Sequence, residues 1–129
     1  MQIKESGENY LETILVIQKR NGMARSIDIA NELNFSRASV SRAMSLLKTA
    51  GHIEIKNIHE IVLTDSGRKI AEAIYEKHCT IKDFLIHIGV NQETASEEAC
   101  KIEHILSTDS FDKLKNHLEK EKAQKNSII

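Results

Sequence analysis

Residues 26–51 read SIDIANELNFSRASVSRAMSLLKTAG, and the way this stretch divides decides the fold. Ser26 precedes a short run in which Ile27, Ala30 and Leu33 recur at helical spacing, which predicts a short helix capped by Ser26. Asn34-Phe35 then turns the chain. Ser36 opens a second helix whose Val40, Ala43, Met44 and Leu47 share one apolar face, and Gly51 ends it as a left-handed residue just past the last turn. Two short helices joined by a tight turn are the core of a helix-turn-helix. The outer face of the second helix carries Arg37, Ala38, Ser39, Ser41, Arg42 and Ser45, short side chains flanked by two guanidinium groups.

The flanks fit the same module. Upstream, Tyr10, Leu11, Ile14, Leu15 and Ile17 predict an amphipathic helix over 6–20, capped by Ser6 and ended by Asn21-Gly22. Downstream the period changes from helical to alternating. Ile53-Glu54-Ile55 and the largely β-branched run Ile61-Val62-Leu63-Thr64 bracket residues 56–60, polar apart from Ile58, which predicts a two-stranded hairpin, the wing. Ser66-Gly67 opens a long helix with Ile70, Ile74, Ile81, Leu85 and Ile88 as one stripe, ending at Gly89. A further helix is expected over about 94–106. After the break Ser107-Thr108-Asp109-Ser110, a short helix carries Phe111, Leu114 and Leu118, and the tail EKEKAQKNSII is expected to fray at its end.

Composition narrows the class. In 129 residues, 40% are apolar and 29% charged, enough for one real core and too ordinary for a disordered chain. The start MQIKESGENYLETI lacks the pattern of a signal peptide, and no apolar run is long enough to span a bilayer, so a cytoplasmic protein with no membrane partner is expected. Cys79 and Cys100 are too few for a disulfide scaffold and remain as thiols able to ligate metal. The net charge of −1 is unevenly spread. Residues 20–77 hold nine Lys and Arg against seven Asp and Glu, and residues 78–129 hold seven against nine. That is the sign expected of a DNA-reading front and an acidic rear.

A winged helix-turn-helix places its second helix in the major groove, where N-terminal exposed side chains reach phosphates and base edges. The candidate contacts to double-stranded operator DNA are Arg25, Ser36, Arg37, Ala38, Ser39, Ser41, Arg42 and Lys56. The wing contributes little, because Lys56 and His59 are its only basic groups and Glu60 repels phosphate.

The rear half carries a different chemistry. Cys100, Glu103 and His104 stand at i, i+3 and i+4, so thiol, carboxylate and imidazole converge on one patch. His78 falls within the apolar stripe of the long helix and is expected to point inward. A small metalloenzyme would need an open coordination position and a general base in a cleft, and no second catalytic constellation or glycine-rich phosphate loop is present.

With these pieces in place the chain resembles the diphtheria toxin repressor and manganese transport regulator family of metal-dependent repressors. The resemblance rests on ENYLETI (8–14), IANELNFSRASVSRAMSLLKTAGHI (29–53), IVLTDSGRKIAEAIYEKH (61–78), FLIHIGV (84–90) and EEACKIEHILS (97–107), the last being the most specific. It implies a homodimer joined through C-terminal helices, with a divalent transition metal held between the first helix and the helices carrying His78 and His104. Its ligands fall on Glu12, His78, Cys100, Glu103 and His104, with Asn9 at a further ligand position. The family points to Fe(II) or Mn(II); the thiol and imidazole donors also suit Co(II), Ni(II) or Zn(II). Asn9 replaces a stronger ligand, Lys82 a carboxylate that helps hold a second metal, and Ser96 a histidine, so about one metal per subunit is expected.

The expected architecture is mainly α. A winged helix-turn-helix DNA-binding domain over 1–73, with its small two-stranded wing, precedes an all-helical metal-binding and dimerisation domain over 74–129. Ile102, Ile105, Leu106, Phe111 and Leu114 are the apolar residues expected to drive dimerisation. The function expected is a metal-dependent repressor; the alternative is a winged-helix regulator that has lost metal control.

Overall fold

A computed structural model describes residues 5–127, the side chains of 58 and 125–127 aside. The chain forms two compact units, Met1–Ile74 and Tyr75–Ile129. The first holds α1 (Glu5–Asn21), β1 (Ala24–Arg25), α2 (Ser26–Leu33), α3 (Arg37–Thr49), β2 (Ile53–Ile55) and β3 (Glu60–Leu63), and α4 (Asp65–His87) begins in it. The second holds the rest of α4 with α5 (Gln92–Ile102) and α6 (Thr108–Ser127). No helix among the described residues is long and apolar enough to cross a membrane.

In the first unit the core is the side predicted from periodicity. Leu11, Ile14 and Ile17 of α1, Val40 and Met44 of α3, and Ile53 and Ile61 of the sheet are all but fully buried. Each such side chain contributes about 1.5–3 kcal/mol by leaving water. On α2 the deepest residue is Ile29, fully buried, whereas the expected Ile27 and Leu33 are only half-buried. The cap of α2 also differs from expectation. Arg25 is the N-cap residue, its N–H donating to the Asp28 carboxylate at 3.0 Å, and Ser26 is already helical. The Asp28 carboxylate holds the N–H of the N-cap residue, the return half of a capping box, whereas the expected serine hydroxyl would have accepted an N–H of the first turn. Ser6 likewise lies inside α1 and does not cap it.

The boundaries of α3 follow the sequence signals. Ser36 Oγ accepts the Ser39 N–H at 3.1 Å. At the far end Gly51 sits at φ +83°, with the Gly51 N–H on the Lys48 carbonyl and the His52 N–H on the Leu47 carbonyl, both at 3.0 Å. That paired arrangement is a Schellman cap and needs a residue tolerant of positive φ.

The wing has a third strand that alternation could not reveal. β2 and β3 pair in antiparallel register, Ile53 opposite Leu63 and Ile55 opposite Ile61, and β1 adds to the other side of β3 with Ala24 opposite Ile61. The order is β1-β3-β2. Two residues cannot display a period, so only tertiary pairing makes Ala24–Arg25 a strand. A close approach then fixes the start of α4. A Cβ at Gly67 would lie 1.9 Å from the His52 carbonyl oxygen, so only glycine allows the helix to pass the end of α3 at this distance.

In the second unit, Ile81 of α4, Ala95 and Ala99 of α5, and Phe111 and Leu118 of α6 are buried. α4 ends with the device seen at Gly51: Gly89, at φ +107°, donates to the Ile86 carbonyl and Val90 to the Leu85 carbonyl. Ile88 therefore lies past the helix end at 60% exposure and is not part of the inward stripe. α5 starts earlier than expected, since Asn91 Oδ1 accepts the Thr94 N–H at 2.9 Å, and it ends at Ile102 instead of 106. The last helix is not short. α6 runs 20 residues to Ser127, and of the tail expected to fray only 128–129 lie outside the described residues. Its polar second half carries no apolar stripe from which its length could be read; ion pairs tie it to α4 instead, Lys115 to Glu76 at 2.6 Å and Lys122 to Asp83.

Candidate metal centre and nucleic-acid interface

The cap at Ser36 sets the start of α3 and thereby the face it presents. Arg37, Ala38, Ser39, Ser41, Arg42 and Ser45 are all exposed, opposite Val40, Met44 and Leu47. Ser36 is committed locally, holding the Ser39 N–H and lying 2.9 Å from the Ser39 hydroxyl. Arg25, Ser26, Ile27, Arg37, Ser41 and His59 line one concavity of about 430 Å³. Two guanidinium groups, hydroxyls and the positive end of the α3 dipole meet there, an arrangement suited to a phosphodiester backbone. Lys56 is not part of it and lines a separate depression with Lys48, Glu54 and Ile55.

His59 is the residue that sequence reasoning undervalued. It holds φ at +62°, a left-handed conformation costing a non-glycine residue about 1–2 kcal/mol, and its side chain is brought to the Arg25 and Arg37 groove. The available signal was that it is one of two basic groups in the wing turn.

The second unit gathers four of the expected ligands. His78 comes from the middle of α4, Cys100 from the last turn of α5, and Glu103 and His104 from the turn that follows. Glu103 Oε2 accepts from His78 Nδ1 at 2.9 Å, and Cys100 Sγ lies 3.7 Å from the same nitrogen. Glu103 Oε1 lies 3.4 Å from His104 Nε2, within ion-pair distance but without hydrogen-bond geometry, and has no hydrogen-bond partner among the described residues. The Glu103 and His104 side chains are 0% and 3% exposed. Leaving a buried acceptor unsatisfied costs about 1–3 kcal/mol, and more when it is charged. A divalent cation offsets that cost, and carboxylate, imidazoles and thiol are donors such a cation accepts, so these residues fit a transition metal.

His78 is pushed up to about 10 by its hydrogen bonds to Cys100 and Glu103, against the opposing effect of burial. A metal bound there takes the place of a proton. On α1, in the first unit, Glu12 is buried at 7% exposure. Asn9 is half-buried, its carbonyl oxygen accepting the Thr13 hydroxyl at 2.8 Å. Lys82 and Ser96 line a depression with Gln92, Glu93 and Glu97.

Residues 2–59 match the N-terminal DNA-binding domain of the iron dependent repressors, and residues 64–125 match their metal binding and dimerisation domain. The chain is 38% identical to an uncharacterised HTH-type transcriptional regulator of Methanocaldococcus jannaschii, over 92% of this chain and 96% of that one. With the transcriptional regulator MntR of Escherichia coli O157:H7 it shares 32% identity over 84% of this chain and 70% of the relative. Among solved structures, IdeR of T. acidophilum superposes with a TM-score of 0.79 at 28% identity, over 92% of this chain and 55% of IdeR. The chain thus spans about half of that neighbour's length.

Proposed function

Because this chain belongs to the iron-dependent repressor family, that of the diphtheria toxin repressor and the manganese transport regulators, we propose that it binds double-stranded operator DNA as a homodimer when loaded with a divalent transition metal. It is a metal-dependent transcriptional regulator of the repressor type and not an enzyme. The metal is held by His78, Cys100, Glu103 and His104; Glu12 and Asn9 on α1 enter the ligand set on the strength of the family resemblance. The DNA contacts are Arg25, Ser36, Arg37, Ala38, Ser39, Ser41, Arg42 and Lys56, with His59 added from its place in the groove. The cytoplasm is its compartment, where the operator lies.

The observation that carries the metal assignment is the buried Glu103 carboxylate, with one oxygen on His78 and the other lacking a hydrogen-bond partner. Bound there, the cation supplies positive charge that exchanges with the His78 proton. The chain's own residues then do the switching. His78 on α4, Cys100 on α5 and Glu103 would hold the cation together, so that the ion would replace the direct hydrogen bond between His78 and Glu103 as the link between these helices. If the DNA-competent arrangement of the dimer binds metal more tightly than the other, metal binding favours it by that difference. A thiol with two imidazoles makes the site softer than a carboxylate-rich one, which favours Fe(II), Co(II), Ni(II) or Zn(II) over Mn(II) in affinity.

The expected dimer surface needs one revision. Phe111 is buried within its own chain at 6% exposure, so it is unavailable to a partner, whereas Ile105 is 77% exposed. We assign the contact to Ile102, Ile105, Leu106 and Leu114. Sedimentation of the metal-free chain at micromolar concentration tests it: a dimer is expected, and a monomer contradicts the assignment. Cobalt titration of the parent and of Cys100→Ala tests the ligand set, the parent developing a thiolate-to-cobalt charge-transfer band that the variant lacks.

A further inference from the structure

Two lines of side chains run along the exposed part of α3, and they differ in what they carry. Successive residues of a helix stand about 100° apart, so the line opposite the buried Val40, Met44 and Leu47 is Ala38, Arg42, Ser45 and Thr49, all exposed. Arg42 is the one long side chain on that line. Ala38 lies one turn before it and Ser45 one turn after, and the Thr49 hydroxyl is folded back on the Ser45 carbonyl at 3.0 Å. Arg37 and Ser41, four residues apart, form a flank instead, and both line the concavity shared with Arg25, Ser26, Ile27 and His59. That flank gathers two guanidinium groups and an imidazole beside α2 and the wing, whereas Arg42 projects from the crest of the helix, away from the body of the unit.

Resting on the proposed binding of operator DNA, we infer that the two arginines divide the labour: Arg42 reads a guanine on the floor of the major groove in each half-site, and Arg37 grips a phosphate at its edge. A helix with its side chains is about 10–12 Å across and fills a major groove about 12 Å wide, so its crest meets base edges and its flanks meet the sugar-phosphate walls. The short side chains of Ala38 and Ser45 let the backbone of α3 sit deep enough for one long side chain to reach the floor. A guanidinium presents parallel N–H donors, and guanine O6 and N7 are the adjacent acceptors that match them; adenine offers one acceptor and one donor there, and cytosine a donor. Arg37 meets different chemistry. Clustered with Arg25 and His59 beside the positive end of the α3 dipole, it suits the concentrated charge of a phosphate, which every sequence carries alike. Arg42 therefore sets which operator is chosen, and Arg37 how firmly any duplex is held.

Selection of duplexes from random sequence by the full chain with Co(II), at salt low enough for weakened variants to bind, tests the division. The parent should enrich one guanine per half-site that Arg42→Gln exchanges for adenine, because a glutamine amide pairs with adenine N6 and N7. Replacing that guanine in the selected site should cost the parent roughly 5–150-fold in affinity, while Arg42→Ala should bind all four bases there within about twofold of one another. Arg37→Ala should bind more weakly, with a salt slope smaller by about one, and still select the parent's sequence. Both positions are exposed, and circular dichroism of each variant checks that the fold is kept. Adenine, or no preference, at that one position in Arg42→Gln supports the assignment. An Arg42→Gln variant that selects the parent's sequence, or an Arg37→Ala variant that selects another, overturns it. So does a parent that binds DNA yet enriches no sequence, which leaves DNA binding itself standing; a parent that binds no duplex at all removes the reading on which the assignment rests.

Discussion

On α3 the side chains proposed to meet DNA are all exposed, whereas around Glu103 the ionisable groups are largely withdrawn from water. The first surface spends no folding energy on its charges, so Arg37 and Arg42 remain available to a partner that brings its own phosphates. The second keeps a carboxylate in the interior with one oxygen lacking a hydrogen bond and an imidazole held protonated by its neighbours. Substitutions in the two places should therefore have different consequences. Changes on α3 should alter DNA binding and leave the fold intact, and changes at Glu103 should alter metal binding far more than the stability of the metal-free chain.

The strongest consequence is expected on the DNA side. Replacing Arg37 and Arg42 together with alanine should cost about 1–3 kcal/mol for each arginine and lower the salt slope by about one for each phosphate no longer neutralised. Fluorescence anisotropy across a salt series measures both, with circular dichroism to show an unchanged fold. Unchanged affinity and slope would remove these arginines from the interface.

Gly67→Ala should do the reverse, damaging the fold without touching a DNA or metal contact. Its Cβ meets the His52 carbonyl oxygen at 1.9 Å, which backbone must move to relieve. A loss of about 3 kcal/mol or more in urea unfolding is expected, and a variant as stable as the parent would show that α4 does not pass α3 this closely. Third in size is Glu103→Gln. Metal affinity should fall roughly tenfold or more, while the metal-free chain changes by no more than about 1 kcal/mol, because the substitution also removes a buried charge. Calorimetry with Co(II) and denaturant unfolding give the two numbers, and strong destabilisation of the metal-free form would make Glu103 a structural ion pair instead of a ligand. Smallest is His59→Ala, expected to weaken operator binding by about 1 kcal/mol or less, as one protonatable group at the rim of an arginine groove. An effect as large as that of Arg37 would move the wing to the centre of recognition.

Local signals explain what could be read in advance. Ser36 and Gly51 bound α3 because each satisfies backbone groups within a few residues, and the apolar period between them needs no tertiary information. The wing strands were visible from the alternation of Ile53-Glu54-Ile55 and the β-branched run at 61–64, and β1 was not, since its pairing with β3 lies 37 residues away in sequence at Ala24 and Ile61. α6 was underestimated because Leu118 is its last apolar core residue, and salt bridges to Glu76 and Asp83 hold it without leaving a periodic mark. For the metal centre, the spacing of Cys100, Glu103 and His104 pointed to convergence even though the helix expected to carry all three stops at Ile102. The reach of His78 Nδ1 to Glu103 spans two helices and could only be suspected from an inward histidine. His59 was undervalued because a positive φ in the wing turn decides where its side chain goes, and residue type alone does not announce that conformation.

Whether metal bound around Glu103 controls the grip of α3 on DNA is decided by titrating operator affinity against Fe(II), Co(II), Zn(II) and Mn(II) at one stated salt concentration. The duplex is one selected from random sequence by the metal-loaded chain, and the parent is compared with Cys100→Ala. The parent should gain roughly 5–150-fold in affinity on loading. Cys100→Ala should lose metal affinity and that gain together while keeping the weak metal-free binding. Operator affinity that ignores every metal, or a Cys100→Ala variant that responds as the parent does, would break the link between the Glu103 centre and DNA.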